Sequence, residues 1–122
     1  MMENKNTEFL KYLDISIKAS QDMTQELIKD NRKDEADHEK VKTNVYQIFK
    51  TVFQVITKQK ALELDDIKKL FLEKLETIPA NWKTSLESGK EFQDYEKILI
   101  EEIKLQTLEE IRNTFLTLWE SN

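Results

Sequence analysis

The residues whose types suggest chemistry lie close together, in the segment Arg32-Lys-Asp-Glu35-Ala-Asp-His38. His38 is the only histidine of the chain, and Glu35 precedes it by three residues. A Glu-x-x-His pair is one part of the ligand set of a di-iron carboxylate bundle, which needs a second such pair and two further glutamates. With a single histidine and no cysteine, the chain lacks that second pair and the ligands of a structural zinc site. We therefore expect no metal site and no cofactor.

The same segment places Arg32 and His38 five residues apart, counting the residues between them. This spacing resembles the Arg-x4–6-His signature of the HEPN ribonuclease family, whose members are helical bundles of about this length. The resemblance implies that Arg32 and His38 cleave RNA at a dimer interface. Lys33 stands where the family usually has Asn, Asp or His. Because an acidic chain repels RNA phosphates, the alternative interpretation is a solvated turn with a surface histidine.

Other motifs of catalysis and ligand binding are missing from the sequence. One glycine cannot build a P-loop or a dinucleotide-binding turn, and the lack of cysteine excludes thiol catalysis. No serine lies in a nucleophile elbow. Acid pairs such as Asp65-Asp66 and Glu101-Glu102 are neighbours in sequence, so on a helix they project about 100° apart and do not form a paired-carboxylate site.

Charge limits the partners that this chain can take. The 122 residues carry a formal net charge of −5, and residues 79–122 hold nine acids against five bases. Such a chain is a poor ligand for nucleic acid and for anionic membranes. No run of about 20 apolar residues occurs, and the first residues lack the basic-then-apolar order of a signal peptide. We expect a cytoplasmic protein that binds neither nucleic acid nor membrane.

The composition favours long helices, because the chain has one glycine, one proline and 35% charged residues. The most apolar stretch, 41–56, has its large side chains in one broad arc at helical spacing, so we predict a central helix over 36–60 with two or three neighbours. The predicted buried arc consists of Val41, Val45, Ile48, Phe49, Val52, Phe53, Val55 and Ile56.

The same periodicity predicts helices on both sides of this central helix. An amphipathic helix is predicted over 9–28, and a third helix begins at Asp65 or Asp66 and ends at Pro79. A short helical piece over 81–89 then closes with Gly89 as a left-handed cap. The predicted buried stripe of the third helix consists of Leu64, Ile67, Phe71, Leu75 and Ile78.

The last predicted helix, over 90–119, carries two apolar stripes. The first consists of Phe92, Tyr95, Leu99 and Ile103, and the second of Leu108, Ile111, Phe115 and Leu118. The two are out of phase, so the buried face moves round the helix near 105–107. A break there is one alternative, because Thr107-Leu-Glu-Glu110 matches a capping box. Since no Gly or Pro lies between 90 and 122, we favour one continuous helix.

Small hydroxyl side chains interrupt the apolar face of the first helix. Ser16, Ser20 and Thr24 recur every four residues. The favoured interpretation is close helix packing, with the hydroxyls bonded to carbonyls one turn back. The alternative is a polar patch that lines a groove.

Together these patterns predict an all-α single domain over 1–122, an up-down four-helix bundle whose third leg is broken at Pro79. We expect a non-enzymatic protein-binding module of the adaptor, inhibitor or immunity-like kind. The alternatives are a HEPN-like ribonuclease and a carrier of a small ligand in the bundle core. Any exposed apolar patch would suit a basic protein partner or a second copy of the chain. The candidate partner-binding residues, which fall outside the stripes or at a chain end, are Ile15, Leu72, Ile100 and Trp119.

Overall fold

The computed structural model describes residues 2–59 and 62–121, with side chains from residue 5 onward. Within those ranges every regular element is a helix. The helices are α1 (Met2–Lys29), α2 (Lys33–Thr57), α3 (Leu64–Thr77), α4 (Ala80–Glu91) and α5 (Tyr95–Glu120). Because α3 and α4 form one leg bent at Pro79, the all-α, up-down four-helix bundle is confirmed. Over the part of the chain that is described, no helix has the length and apolar character needed to cross a membrane.

The central position of α2 is confirmed, since α2 packs against α1, α3 and α5. Phe49 and Phe53 of α2 are fully buried. Ile48 and Val55 differ from the prediction that they are buried, with exposed fractions of 38% and 59%. The neighbouring helices surround one side of α2, and these two side chains lie on the uncovered side.

Aromatic side chains from four helices fill the middle of the bundle. Phe9 of α1 meets Phe53 of α2 edge to face, with ring centroids 4.9 Å apart. Phe71 of α3 lies 4.6 Å from Phe115 of α5, measured between ring centroids. Aromatic pairs of this kind contribute about 0.5–1.5 kcal/mol each beyond the apolar area that they bury. The aromatic cluster therefore joins all four legs.

Trp119 completes this cluster, although it lies one residue before the end of α5. Its ring stacks on Phe115 with centroids 4.4 Å apart, and its indole Nε1 donates a hydrogen bond of 3.1 Å to the carbonyl of Leu64. The side chain is buried, whereas the sequence suggests an exposed chain end. A buried indole N–H needs an acceptor, and the first residue of α3 provides it.

The third helix follows its predicted pattern closely. Ile67, Phe71 and Leu75 are buried, and the helix ends before Pro79. It begins slightly earlier than predicted, at Leu64, because Glu63 and Asp66 form a capping box. The first helix is also longer than its apolar pattern, since it starts at Met2 and ends at Lys29.

The predicted role of Gly89 is wrong. The helix α4 continues past Gly89 to Glu91, and the left-handed residue after it is Gln93, with a φ of 54°. Gly89 instead lies against α5, where an added Cβ would come within 3.2 Å of Ile98 Cγ1. The missing side chain thus lets α4 and α5 approach closely.

The last helix is continuous through 105–107, as predicted. Its predicted start at 90 is wrong, because α4 ends at its C-cap Phe92 and α5 begins at Tyr95, after the N-cap Asp94. In its C-terminal half, Leu108, Ile111 and Phe115 are buried. The prediction that the first stripe is also buried is wrong. The exposed fractions are 74% for Phe92, 74% for Tyr95 and 41% for Leu99. These three side chains, here termed the exposed α5 stripe, comprise the C-cap residue of α4 and two residues in the first turns of α5.

Candidate functional site

Two adjoining clefts open between α1 and α5, with α2 as their floor. They share Met23, Glu39 and Lys42, so they form one depression, which we term the α1/α5 groove. Its two parts have volumes of about 510 Å³ and about 350 Å³. The groove follows from topology. The legs α1 and α5 run antiparallel on the same side of α2, and residues on both legs remain uncovered beside it.

Apolar side chains form much of the groove walls. On α1, Ile15, Ala19 and Met23 are spaced four residues apart and are all exposed. On the α5 side the wall contains Ile103. Leu99 lies one turn before Ile103 on α5, and residues four apart share a helix face. The exposed α5 stripe therefore continues the apolar wall beyond the groove.

The floor brings together the residues that the HEPN resemblance selects. Arg32 and His38 both line the larger part of the groove. Arg32 forms a bidentate ion pair with Glu35, which raises the pKa of Arg32 and lowers that of Glu35. His38 Nε2 lies 2.8 Å from Oε1 of Glu96 on α5. Each basic side chain is thus already held by a carboxylate.

At the other end of the groove, two tyrosines hold one carboxylate. Tyr12 and Tyr46 both donate a hydrogen bond to Oε2 of Glu110, and the Tyr46 bond measures 2.8 Å. Burial, followed by the hydrogen bond to Glu110, raises the pKa of both tyrosines. Both hydroxyls therefore stay protonated and keep donating at neutral pH.

The surroundings of the Glu110 carboxylate differ from those of the other acidic side chains of the groove. Among the side chains that the structure describes, no Lys, Arg or His lies within ion-pair distance of this carboxylate. The nearby Lys42 is paired with Glu39 at 3.3 Å. Glu110 thus contributes an uncompensated negative charge to the lining of the groove.

Two of the three hydroxyl residues of α1, Ser20 and Thr24, bond to backbone carbonyls one turn back, as the favoured interpretation predicts. Ser20 Oγ donates to the carbonyl of Ile17 and Thr24 Oγ1 to that of Ser20. Ser20 also lies 2.6 Å from the hydroxyl of Thr43 on α2, which ties the two helices together. Ser16 is half-buried and lines the groove.

Of the four partner-binding residues predicted from sequence, only Ile15 lines the groove, with 58% of its surface exposed. Leu72 is half-buried and packs against the core, and Ile100 is half-buried. Trp119 is part of the core. The structure thus places these four residues in different environments.

The exposed α5 stripe is the surface that sequence reasoning missed. Its spacing is that of a core stripe, so periodicity alone assigned it to the interior. One signal in the sequence did point to it. The stripe is out of phase with the second stripe of α5, so both cannot face the same neighbours.

A second buried carboxylate lies outside the groove. Glu101 is 6% exposed, and its Oε2 has no hydrogen-bond partner among the described atoms. Its other oxygen pairs with Lys104 at 3.0 Å, and the Lys104 ammonium lies 5.6 Å from the centre of the Trp82 ring. Within the described ranges no three potential metal ligands come together, at this carboxylate or elsewhere.

The fold and the groove define an all-α helical bundle with an uncovered apolar strip beside charged residues. No protein-family model matches the chain, and comparison with curated proteins and with solved structures finds no match.

Proposed function

We propose that this chain is a non-enzymatic protein-binding module of the cytoplasm, of the adaptor, inhibitor or immunity-like kind, and that it docks its partner along the α1/α5 groove. One observation carries this proposal. Phe92 at the C-cap of α4 and Tyr95 and Leu99 of α5 extend the apolar surface beyond the end of the groove, yet no part of the described chain covers them.

The surroundings of the stripe support the same function. Apolar residues of α1, including Ile15 and Met23, are exposed on the facing wall of the groove. Scattered single apolar residues on a surface need no explanation, but an apolar strip with a polar rim is typical of a protein interface. A groove between helices commonly takes a helix of a partner, which satisfies its own backbone hydrogen bonds.

The test is affinity capture from the source cell, with mass spectrometry of what is retained. Leu99→Lys places a charge at the end of the exposed α5 stripe that adjoins the groove, and it should abolish retention of the specific partner. Val55→Lys is the matched control, because Val55 is an exposed apolar residue of α2 outside the groove. Circular dichroism checks that both variants remain helical. Equal retention of the partner by wild type and both variants would show that the partner does not bind along the groove.

A second copy of the chain is the simplest alternative occupant, since symmetric dimers are common. Sedimentation velocity over a range of protein concentrations distinguishes the two occupants. A dimer that Leu99→Lys dissociates and Val55→Lys preserves would make the groove a homodimer interface. We expect a monomer, because pairing two copies of an acidic surface brings like charges together.

The second candidate function is RNA cleavage of the HEPN kind. The observation in its favour is that Arg32 and His38 line one cleft. It ranks second because Glu35 and Glu96 already occupy these two side chains and would repel a phosphate. Incubation of purified protein with RNA tests it. Cleavage by wild type that His38→Ala abolishes would replace the binding module as the function. The aromatic packing of the bundle centre gives no support to a small-ligand carrier in the core.

A further inference from the structure

The Glu110 end of the groove shows which charge a partner must carry. Tyr12 comes from α1 and Tyr46 from α2, and both hydroxyls meet the same carboxylate oxygen of α5. The position of Glu110 is thus set by three helices of the bundle. A flexible surface glutamate must lose side-chain freedom to form an ion pair, whereas a carboxylate held in place loses less.

The other charges of the groove do not compete for this role. Arg32 is paired with Glu35, Lys42 with Glu39, and His38 with Glu96. Adding Glu110, the groove and its edge hold four acids against two permanent bases and one histidine. The local field therefore favours a cation at Glu110.

We propose that the occupant of the groove is a basic amphipathic helix of a partner protein, which lays its apolar face on the groove walls and pairs a lysine or arginine with Glu110. This inference rests on the proposed protein-binding function and specifies the chemistry of the partner. Tyr12 and Tyr46 are positioning residues, because they act through Glu110.

The dimensions of the groove fit such a helix. On α1 its lining extends from Ile15 to Leu27, a distance of about 18 Å at 1.5 Å per residue. A partner helix of about 12 residues, or three turns, covers that length. Its apolar residues at spacings of three and four would meet Ile15, Met23 and Ile103, while its flank carries the basic residue. A second copy of this chain fits less well, since the acid excess of residues 79–122 would face itself.

The test begins with a display library of helix-forming peptides, randomised at the flanking positions and selected on the folded wild-type protein. Peptides that also bind the Leu99→Lys variant are discarded, so that the remaining ones depend on the apolar wall. We expect this pool to be enriched in Lys and Arg at the flanking positions. Enrichment in Asp, Glu or uncharged residues overturns the basic partner but leaves a groove-binding module. Failure to select any peptide that depends on Leu99 overturns both proposals.

The selected peptide is then measured against matched variants by fluorescence anisotropy. Glu110→Gln should weaken binding roughly fivefold to tenfold, and raising the salt concentration should reduce that difference. Glu109→Gln is the control, because Glu109 is exposed, carries the same charge, and lies outside the groove. Equal losses of affinity for the two variants would show a general charge effect, and would overturn the proposed pairing of the partner's basic residue with Glu110.

The positioning role is tested with Tyr46→Phe and a second peptide in which the basic flanking residue is replaced by glutamine. Tyr46→Phe should weaken the basic peptide about threefold and leave the glutamine peptide unchanged, since only the basic peptide depends on Glu110. Equal weakening of both peptides would show that Tyr46 only supports the fold, and would overturn its positioning role.

Discussion

The two halves of α5 carry apolar stripes of similar spacing and meet opposite environments. In the C-terminal half, Leu108, Ile111 and Phe115 lie against the aromatic cluster and are buried. In the N-terminal half, Tyr95 and Leu99 face solvent. The buried face of the N-terminal half holds Glu101, with an oxygen that lacks a hydrogen-bond partner among the described atoms.

This difference separates packing that stabilises the fold from a surface that is available to a partner. The C-terminal half meets three other legs through large rings. The N-terminal half packs against α4, which it approaches closely at Gly89. Large exposed apolar side chains add little to the stability of this chain alone, and this contrast supports a role in binding. Substitutions in the two regions should therefore change the free energy of unfolding by very different amounts.

Phe115→Ala should lower the free energy of unfolding by about 3–5 kcal/mol. Phe115 is fully buried and contacts the rings of Phe71 and Trp119, so truncation leaves a cavity in the aromatic cluster. Urea denaturation followed by circular dichroism measures the change. A loss below about 1 kcal/mol would show that the C-terminal half is not the stabilising half.

Gly89→Val should lower the free energy of unfolding by about 1–3 kcal/mol, because added carbons must displace α5. The nearest atom to an added Cβ is Ile98 Cγ1, at 3.2 Å. Lys90→Val is the control for the helix propensity of valine, since Lys90 is exposed on the same helix. If the two variants lose equal stability, close approach of α4 and α5 is not what requires a glycine.

Tyr46→Phe should lower the free energy of unfolding by about 1 kcal/mol near neutral pH, through loss of the hydrogen bond to Glu110. The pKa values of Tyr12 and Tyr46 are raised in the folded chain, so the unfolded chain loses these protons first as the pH rises. Their contribution is therefore complete below the ordinary pKa of about 10 and declines above it.

Stability measured by urea denaturation on both sides of pH 10 checks this pH dependence. The double variant with Tyr12→Phe and Tyr46→Phe should lose less stability with rising pH than the wild type. Tyr95→Phe serves as the control, because it removes the same hydroxyl group from a side chain of the exposed α5 stripe, away from Glu110. If the stability of the double variant falls with rising pH as steeply as that of the wild type, Tyr12 and Tyr46 do not cause this pH dependence.

Phe92→Ala should change the free energy of unfolding by no more than about 0.5 kcal/mol. The substitution is the same as at Phe115, but Phe92 is 74% exposed. The pair of variants thus compares the buried C-terminal half of α5 with the exposed α5 stripe through one chemical change. A loss of about 2 kcal/mol or more at Phe92 would place the stripe inside the fold and remove the basis for a docking surface.

Burial was predicted correctly from sequence in the middle of α3. Ile67, Phe71 and Leu75 were predictable as a buried stripe, because their helix has one apolar face and ends at a proline. The same periodicity failed for Ile48 and Val55 of α2 and for the exposed α5 stripe. Apolar spacing reports which side chains share a face, and it does not report whether a neighbour covers that face.

The candidate site was predictable only in its parts. Ile15 was selected as an unassigned apolar residue, and Arg32 and His38 by their spacing, and all three line the groove. The convergence of Tyr12 and Tyr46 on Glu110 had no sequence signal, because it joins residues of three helices that are far apart in the chain.

The sequence by itself determined the helical class, the central place of α2 and the break at Pro79, since these depend on local periodicity and on the geometry of proline. The tertiary structure alone decided which half of α5 is covered, why residue 89 is a glycine, and where the groove lies. The physical reason is that burial depends on the packing of one helix against another, and side chains distant in sequence determine that packing.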